Sequence, residues 1–188
     1  MEIRKVAVIG GGTMGNGIAH VFAMKGFEVY LTEMDEDLYK RAMNIISGNL
    51  DRQLKKQVIT EDEKRQTLSK INKVIGVENV PSDINLIIEA IFENKDVKLT
   101  IFKQLENQIN HDCIFASNTS SISITELSAV CRPDKFIGMH FMNPVPVMKL
   151  VEIITSDATS QEVTDAIVDT SKQLGKVPCV VKDFPGFI

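Results

Sequence analysis

The chain has 188 residues, 44% of them hydrophobic and 24% charged, with a formal net charge of −4. That is the balance of a folded globular protein, and it argues against a disordered segment and against a nucleic-acid binder, which needs a basic surface. No apolar run reaches the ~20 residues of a membrane span, so no membrane partner is expected.

The first strand starts almost at once, so no targeting segment is expected. Val6-Ala7-Val8-Ile9 passes into Gly10-Gly11-Gly12, and a helix with Met14, Ile18, Val21 and Phe22 on one face follows. Strand, glycine turn and helix in that order suit a dinucleotide. Gly10 permits the turn, Gly12 lets backbone approach a pyrophosphate, and Gly15 lets the helix pack on its strand. Thr13 and Met14 open that helix, whose free amides favour phosphate. The next strand, Glu28 to Thr32, ends at Glu33, 21 residues beyond Gly12. A carboxylate there accepts hydrogen bonds from adenosine ribose hydroxyls and repels a 2′-phosphate, which favours NAD over NADP. The competing reading makes Glu33 one of several acids (Asp35, Glu36, Asp37) that charge the next helix start.

From about Glu36 to Lys73 the sequence is polar and helix-prone. Leu38, Ala42, Ile45, Ile46, Leu50 and Leu54 mark one amphipathic helix. Thr60, with Glu63 three residues on, opens a second helix as a capping box and carries it to roughly Ile71. A pair of this length is expected to project from the sheet, with a solvated hairpin as the alternative. Leu86 to Ala90 is a short strand, and a helix with Val97, Ile101, Leu105 and Ile109 on one face follows. Cys113 to Ser117 is another strand, and it enters the polar turn Asn118-Thr119-Ser120-Ser121. A short helix around Thr125 to Val130 precedes the strand Phe136 to His140. Leu150 to Ile154, a helix from Ser160 to Leu174 stopped by Gly175, and Pro178 to Val181 complete the chain up to Pro185-Gly186-Phe187-Ile188. This alternation predicts an α/β fold: a Rossmann-type, doubly wound, mainly parallel sheet with a projecting helical pair. Its ligands belong beyond the carboxyl ends of the strands, where the glycine turn, Glu93, Asn118 to Ser121 and His140 to Asn143 converge. Cys113, Cys131 and Cys179, odd in number and in apolar settings, read as free thiols in a reducing cytoplasm, with no metal site.

Three histidines could do chemistry. His20, inside the first helix, reads as structural or half-exposed, and His111, in a polar turn, as solvated. His140 ends a strand at the ligand edge. Glu152, a single carboxylate in an aliphatic strand, needs a buried partner, and His140 is the candidate. A carboxylate on one imidazole nitrogen fixes the tautomer, which leaves the other nitrogen to exchange a proton with a substrate hydroxyl. Ser120 and Asn143 could hold the substrate oxygen as charge develops; the alternative for Asn143-Pro144-Val145-Pro146 is a rigid turn.

These segments resemble the 3-hydroxyacyl-CoA dehydrogenases, bacterial 3-hydroxybutyryl-CoA dehydrogenases above all. The resemblance rests on Val8 to Gly15, Ile88-Glu89-Ala90, Ala116-Ser117-Asn118-Thr119-Ser120-Ser121 and, most specifically, the run from His140 to Glu152. It implies an NAD-dependent oxidoreductase that interconverts a short (S)-3-hydroxyacyl-CoA and a 3-oxoacyl-CoA. His140 would be its acid/base and Glu152 the orienting carboxylate. Ser120 and Asn143 would contact substrate and nicotinamide, while Ala90, Glu93 and Lys98 would lie along the cofactor. The helical pair would hold coenzyme A, with Lys56 on a phosphate; Asn49 stands where some relatives have serine. The resemblance also implies a second, all-helical domain that forms a dimer, so that 1–188 is expected to be the NAD-binding domain alone. A catalytically incompetent dinucleotide-binding module is the alternative.

Overall fold

The computed structural model describes residues 2–184. Eight strands form one sheet: β1 (Lys5–Ile9), β2 (Glu28–Glu33), β3 (Ile71–Ile75), β4 (Leu86–Glu89), β5 (Ile114–Ser117), β6 (Phe136–Phe141), β7 (Leu150–Thr155) and β8 (Val177–Lys182). Their order is β3-β2-β1-β4-β5-β6-β7-β8, with every pair parallel except β6 with β7. The order reverses between β1 and β4, which opens a crevice for a ligand above the neighbouring strand ends. The central strands are continuous aliphatic runs because helices cover both of their faces: β4 and β5 are buried throughout. Alternation along β1 sends Val6 and Val8 into one core layer and Ala7 and Ile9 into the other.

The helices are α1 (Thr13–Met24), α2 (Glu36–Lys55), α3 (Glu61–Ser69), α4 (Lys95–Glu106), α5 (Ile124–Ser128) and α6 (Gln161–Gln173). Side chains cap most of their starts: Asp35 accepts from Leu38 N, Asn94 from Val97 N and Ser160 from Val163 N. The capping box of Thr60 and Glu63 forms as expected. Gly175 follows α6 with φ 75°, the left-handed conformation of a helix stop. Three phenylalanines meet edge-on in the first layer, Phe22 lying 5.1 Å from Phe27 and 6.5 Å from Phe141. Each such contact adds about 0.5–1.5 kcal/mol beyond area burial.

Two expectations need correction. The helical stretch was expected to run to about residue 73, but α3 ends at Ser69 and Ile71–Ile75 is the edge strand β3, paired with β2. Its buried residues, Ile71 and Val74, fall three apart, a spacing that imitates a helix. Nor is the helical pair a freestanding projection. Ala42, Ile46, Leu50 and Ile59 bury in the first core layer, and α2 and α3 pack on α1 as well as on each other. Pro185 to Ile188 lie outside the described residues.

Candidate active site

The carboxyl ends of β1, β2, β4, β5 and β6 share one edge, and the antiparallel β7 brings the start of its run there. At β1 the chain turns at Gly10, whose φ of 91° disfavours any side chain. A Cβ on Gly15 would stand 1.7 Å from the Gly10 carbonyl oxygen, so only glycine lets α1 start this close to its strand. Gly12 precedes α1 as its cap residue, and a Cβ there would meet only open space. Thr13 and Met14 form the first turn of α1, where unpaired amides face outward. The Glu33 carboxylate, at the end of β2, accepts a 2.6 Å hydrogen bond from Gly11 N. Beside this turn lies a cavity of about 280 Å³ whose walls include Gly10, Gly12, Thr32, Glu33, Ala90 and Ile101. Val97 and Ile101, expected on the inner face of α4, line this cavity, while Phe102 and Leu105 enter the core. An open glycine turn, a helix N-terminus, a carboxylate at the second strand end and an apolar slot fit an adenine dinucleotide.

At β4 and β5 the edge is built from charge. Lys98 is buried, 1% exposed, and its Nζ lies 2.7 and 2.8 Å from the two Glu89 oxygens and 3.1 Å from Glu93 Oε2. Lys98 therefore meets two carboxylates at the edge where the resemblance expects the cofactor. Glu89 also accepts Ile91 N at 2.7 Å and the Ser117 hydroxyl at 2.6 Å. Glu93 accepts the Thr119 hydroxyl, Ser120 N at 3.2 Å and the Ser121 hydroxyl at 3.3 Å. Burial works to raise the Glu93 carboxyl. The Thr119 hydrogen bond, the Lys98 charge and Ser120 N outweigh it and hold the group below the ordinary carboxylate value. Ser120 thus sits on a loop held from below, with its own side chain exposed.

His140 on β6 stands directly opposite Glu152 on β7, and Nδ1 lies 2.6 Å from Glu152 Oε2. The charge embedded in β7 has the partner its burial demands. Asn118 Oδ1 accepts Phe141 N at 2.9 Å and so ties the Ser120 loop to the histidine strand. Asn143 is exposed in the following turn, which contains a cis Asn143–Pro144 bond. A smaller cleft, about 180 Å³, joins Pro144, Pro146 and Val147 of this turn to Asn49, Arg52, Gln53 and Lys56 of the α2 end. Lys56 is therefore brought to the turn that follows β6.

Several residues that hold this edge in place escaped the sequence reading. Glu89 carries the signal that exposed Glu152, a lone carboxylate in an aliphatic strand, and the same logic would have found it. Lys176 gives no such signal. Its buried ammonium donates to the Val145 carbonyl and, at 2.7 Å, to Met148 O, and so pins the turn after His140. Asp183 accepts from the hydroxyls of Ser123 and Thr125 and from the amides of Ile124 and Thr125, at 2.7–3.0 Å. Burial raises its carboxyl and those four donors outweigh that, holding it below the ordinary value.

His20, expected to be structural or half-exposed, is fully buried, and neither its ring nitrogens nor the nearby Gln53 Oε1 makes a hydrogen bond. Burial, only partly offset by Gln53, pushes its pKa down to about 4. Burial likewise pushes the Cys113 and Cys131 thiols up to about 12, as inert structural cysteines require. Among the described residues no group of acids, histidines and cysteines could hold a metal, and no helix is long and apolar enough to cross a membrane.

This fold and this edge define a Rossmann-type dinucleotide-binding domain that carries a paired histidine and glutamate at its ligand edge. The chain belongs to the 3-hydroxyacyl-CoA dehydrogenase NAD-binding domain family, whose model matches residues 5–184. It is 47% identical over 187 residues to the 3-hydroxybutyryl-CoA dehydrogenase of Bradyrhizobium diazoefficiens, covering 99% of this chain and 64% of that protein. It is 44% identical over 193 residues to the human mitochondrial hydroxyacyl-coenzyme A dehydrogenase, covering 99% of this chain and 61% of the relative. The crystal structure of (S)-3-hydroxybutyryl-CoA dehydrogenase from Ralstonia eutropha superposes with a TM-score of 0.96 at 44% identity, over all of this chain and 66% of that one. The chain thus spans 61–66% of the length of these relatives.

Proposed function

We propose that this chain is the NAD-binding and proton-transferring part of a dehydrogenase that interconverts a short (S)-3-hydroxyacyl-CoA and the matching 3-oxoacyl-CoA. The observation that carries the reading is the His140–Glu152 contact of 2.6 Å, at the edge where the glycine turn opens. A domain that only bound dinucleotide would need no proton acceptor there. When bound, NAD supplies the acceptor of hydride in one direction and its donor in the other. Gly10, Gly12, Gly15, Thr13 and Met14 would hold its phosphates and Glu33 its adenosine ribose, with Ala90 and Glu93 further along the edge.

Glu152 fixes the His140 ring by Nδ1, so that Nε2 takes the hydroxyl proton in oxidation and returns it in reduction. Ser120 and Asn143 hold the substrate oxygen on which charge develops. Lys56, with Arg52 one turn earlier, gives the cleft beside this turn the positive charge that coenzyme A phosphates require. The names of the relatives support acyl-CoA as the substrate class. The same reading makes 1–188 a single NAD-binding domain and assigns dimer formation to the further helical part of the longer relatives.

The test is NADH consumption with acetoacetyl-CoA, run on this chain beside His140→Gln, with NADH affinity measured on both. Turnover that falls at least ~100-fold in the variant while NADH still binds is the expected result. An NADH affinity that collapses with His140→Gln would make His140 structural. Binding without turnover in the parent chain would favour the incompetent-module reading.

A further inference from the structure

In the charged cluster under the Ser120 loop, Glu89 has no assigned role. It lies where the fold brings the reactive end of the cofactor. In a doubly wound sheet the dinucleotide crosses the edge at the switch point, with its adenosine over the second strand. Here Glu33 and the apolar cavity stand at β2 and β1, so the nicotinamide end reaches β4 and β5. Glu89, Glu93, Lys98 and Ser117 occupy those strand ends and the loops that follow. Two carboxylates share one ammonium, and nothing else charged is paired with any of the three among the described residues. With all three ionised, the cluster carries one net negative charge. Neutral hydrogen-bonding residues could brace the loop without burying ions, which costs several kcal/mol per ion. An excess negative charge beside a buried ion pair is therefore the feature that bracing leaves unexplained.

We propose that Glu89 is a positioning residue whose buried charge, passed through Lys98 to Glu93, biases this site toward the oxidised cofactor. The nicotinamide ring is cationic in NAD+ and neutral in NADH. A fixed negative charge nearby therefore stabilises one redox form selectively, whereas a strut affects both alike. Lys98 alone would neutralise Glu93; Glu89 restores the excess negative charge, and being 0% exposed it is shielded from the screening that weakens surface charges. Because the inference rests on the dinucleotide reading above, its test begins with binding.

The dissociation constants of NAD+ and NADH are measured by calorimetric titration on the parent chain and on Glu89→Gln, which keeps the shape and removes the charge. The expected result is a Kd ratio, NAD+ over NADH, that rises about three- to thirtyfold, the range a single charge exerts across a partly shielded site. The double variant Glu89→Gln/Lys98→Met leaves Glu93 as the one charge and returns the ratio to within about twofold of the parent. If Glu89→Gln does not fold, Glu93→Gln on a 38% exposed carboxylate removes the same charge and must raise the ratio in the same direction. A ratio that stays constant while both dissociation constants weaken together would make the cluster a strut and overturn the proposal. A parent chain that binds neither nucleotide would overturn the dinucleotide reading itself, and the proposal with it.

Discussion

The two halves of the sheet meet the same edge with different materials. The half built on β1, β2 and β3 offers backbone amides, a glycine turn and an apolar slot, and its histidine, His20, is buried and kept neutral. The half built on β4 to β7 offers paired charges: Lys98 between Glu89 and Glu93, and His140 against Glu152. The difference follows the work each half is proposed to do. Phosphates and adenine are unchanged in the reaction and need only shape and amides. The reacting end gains or loses charge, which only fixed charges nearby can follow.

Four substitutions or conditions would break or sharpen this contrast. The largest effect is expected of Gly15→Ala in the backbone half, since its Cβ would lie 1.7 Å from the Gly10 oxygen. Thermal melts and NADH titration should show lost stability of about 3 kcal/mol and no measurable binding. Acid comes next. Unfolded histidine binds its proton near pH 6.5, but folded His20 only near 4, so between those values the unfolded state holds more protons. The contribution of His20 to stability is therefore complete above pH 6.5 and declines as pH falls toward 4, by up to about 1.4 kcal/mol per pH unit. Urea midpoints across that window should fall in the parent chain and flatten in His20→Gln. In the charged half, His140→Gln should lower turnover at least ~100-fold while NADH affinity holds. The smallest effect is expected of Glu33→Ala: about tenfold weaker NADH binding and a narrower gap between NADH and NADPH. An unchanged NADPH preference would return Glu33 to the role of bracing Gly11.

The backbone half was legible because its signals are local. Glycines at fixed offsets, an acid at the next strand end and a capping box each stand within a few residues of what they control. β3 was lost for the same reason in reverse, since its partner β2 lies 42 residues away and its own spacing imitates a helix. The charged half was legible only where a lone carboxylate advertised a missing partner, as at Glu152. The Lys98 cluster gave no local signal because its two carboxylates arrive from a strand end and a loop. Lys176 and Asp183 bind backbone groups 28 and more residues away, and no pattern in their neighbourhoods announces that.

Asp183 links parts of the protein that the sheet order keeps apart. β8 is the outermost strand, three places from β5, yet its end is fastened by four hydrogen bonds to the segment that follows the Ser120 loop. Edge strands are the first parts of a sheet to open. Releasing the end of β8 would therefore break those bonds and unfasten the start of α5 at the same moment. Fraying at the rim and loosening of α5 become a single cooperative event, so the amides of Ile124 and Thr125 should exchange with solvent in step with those of β8.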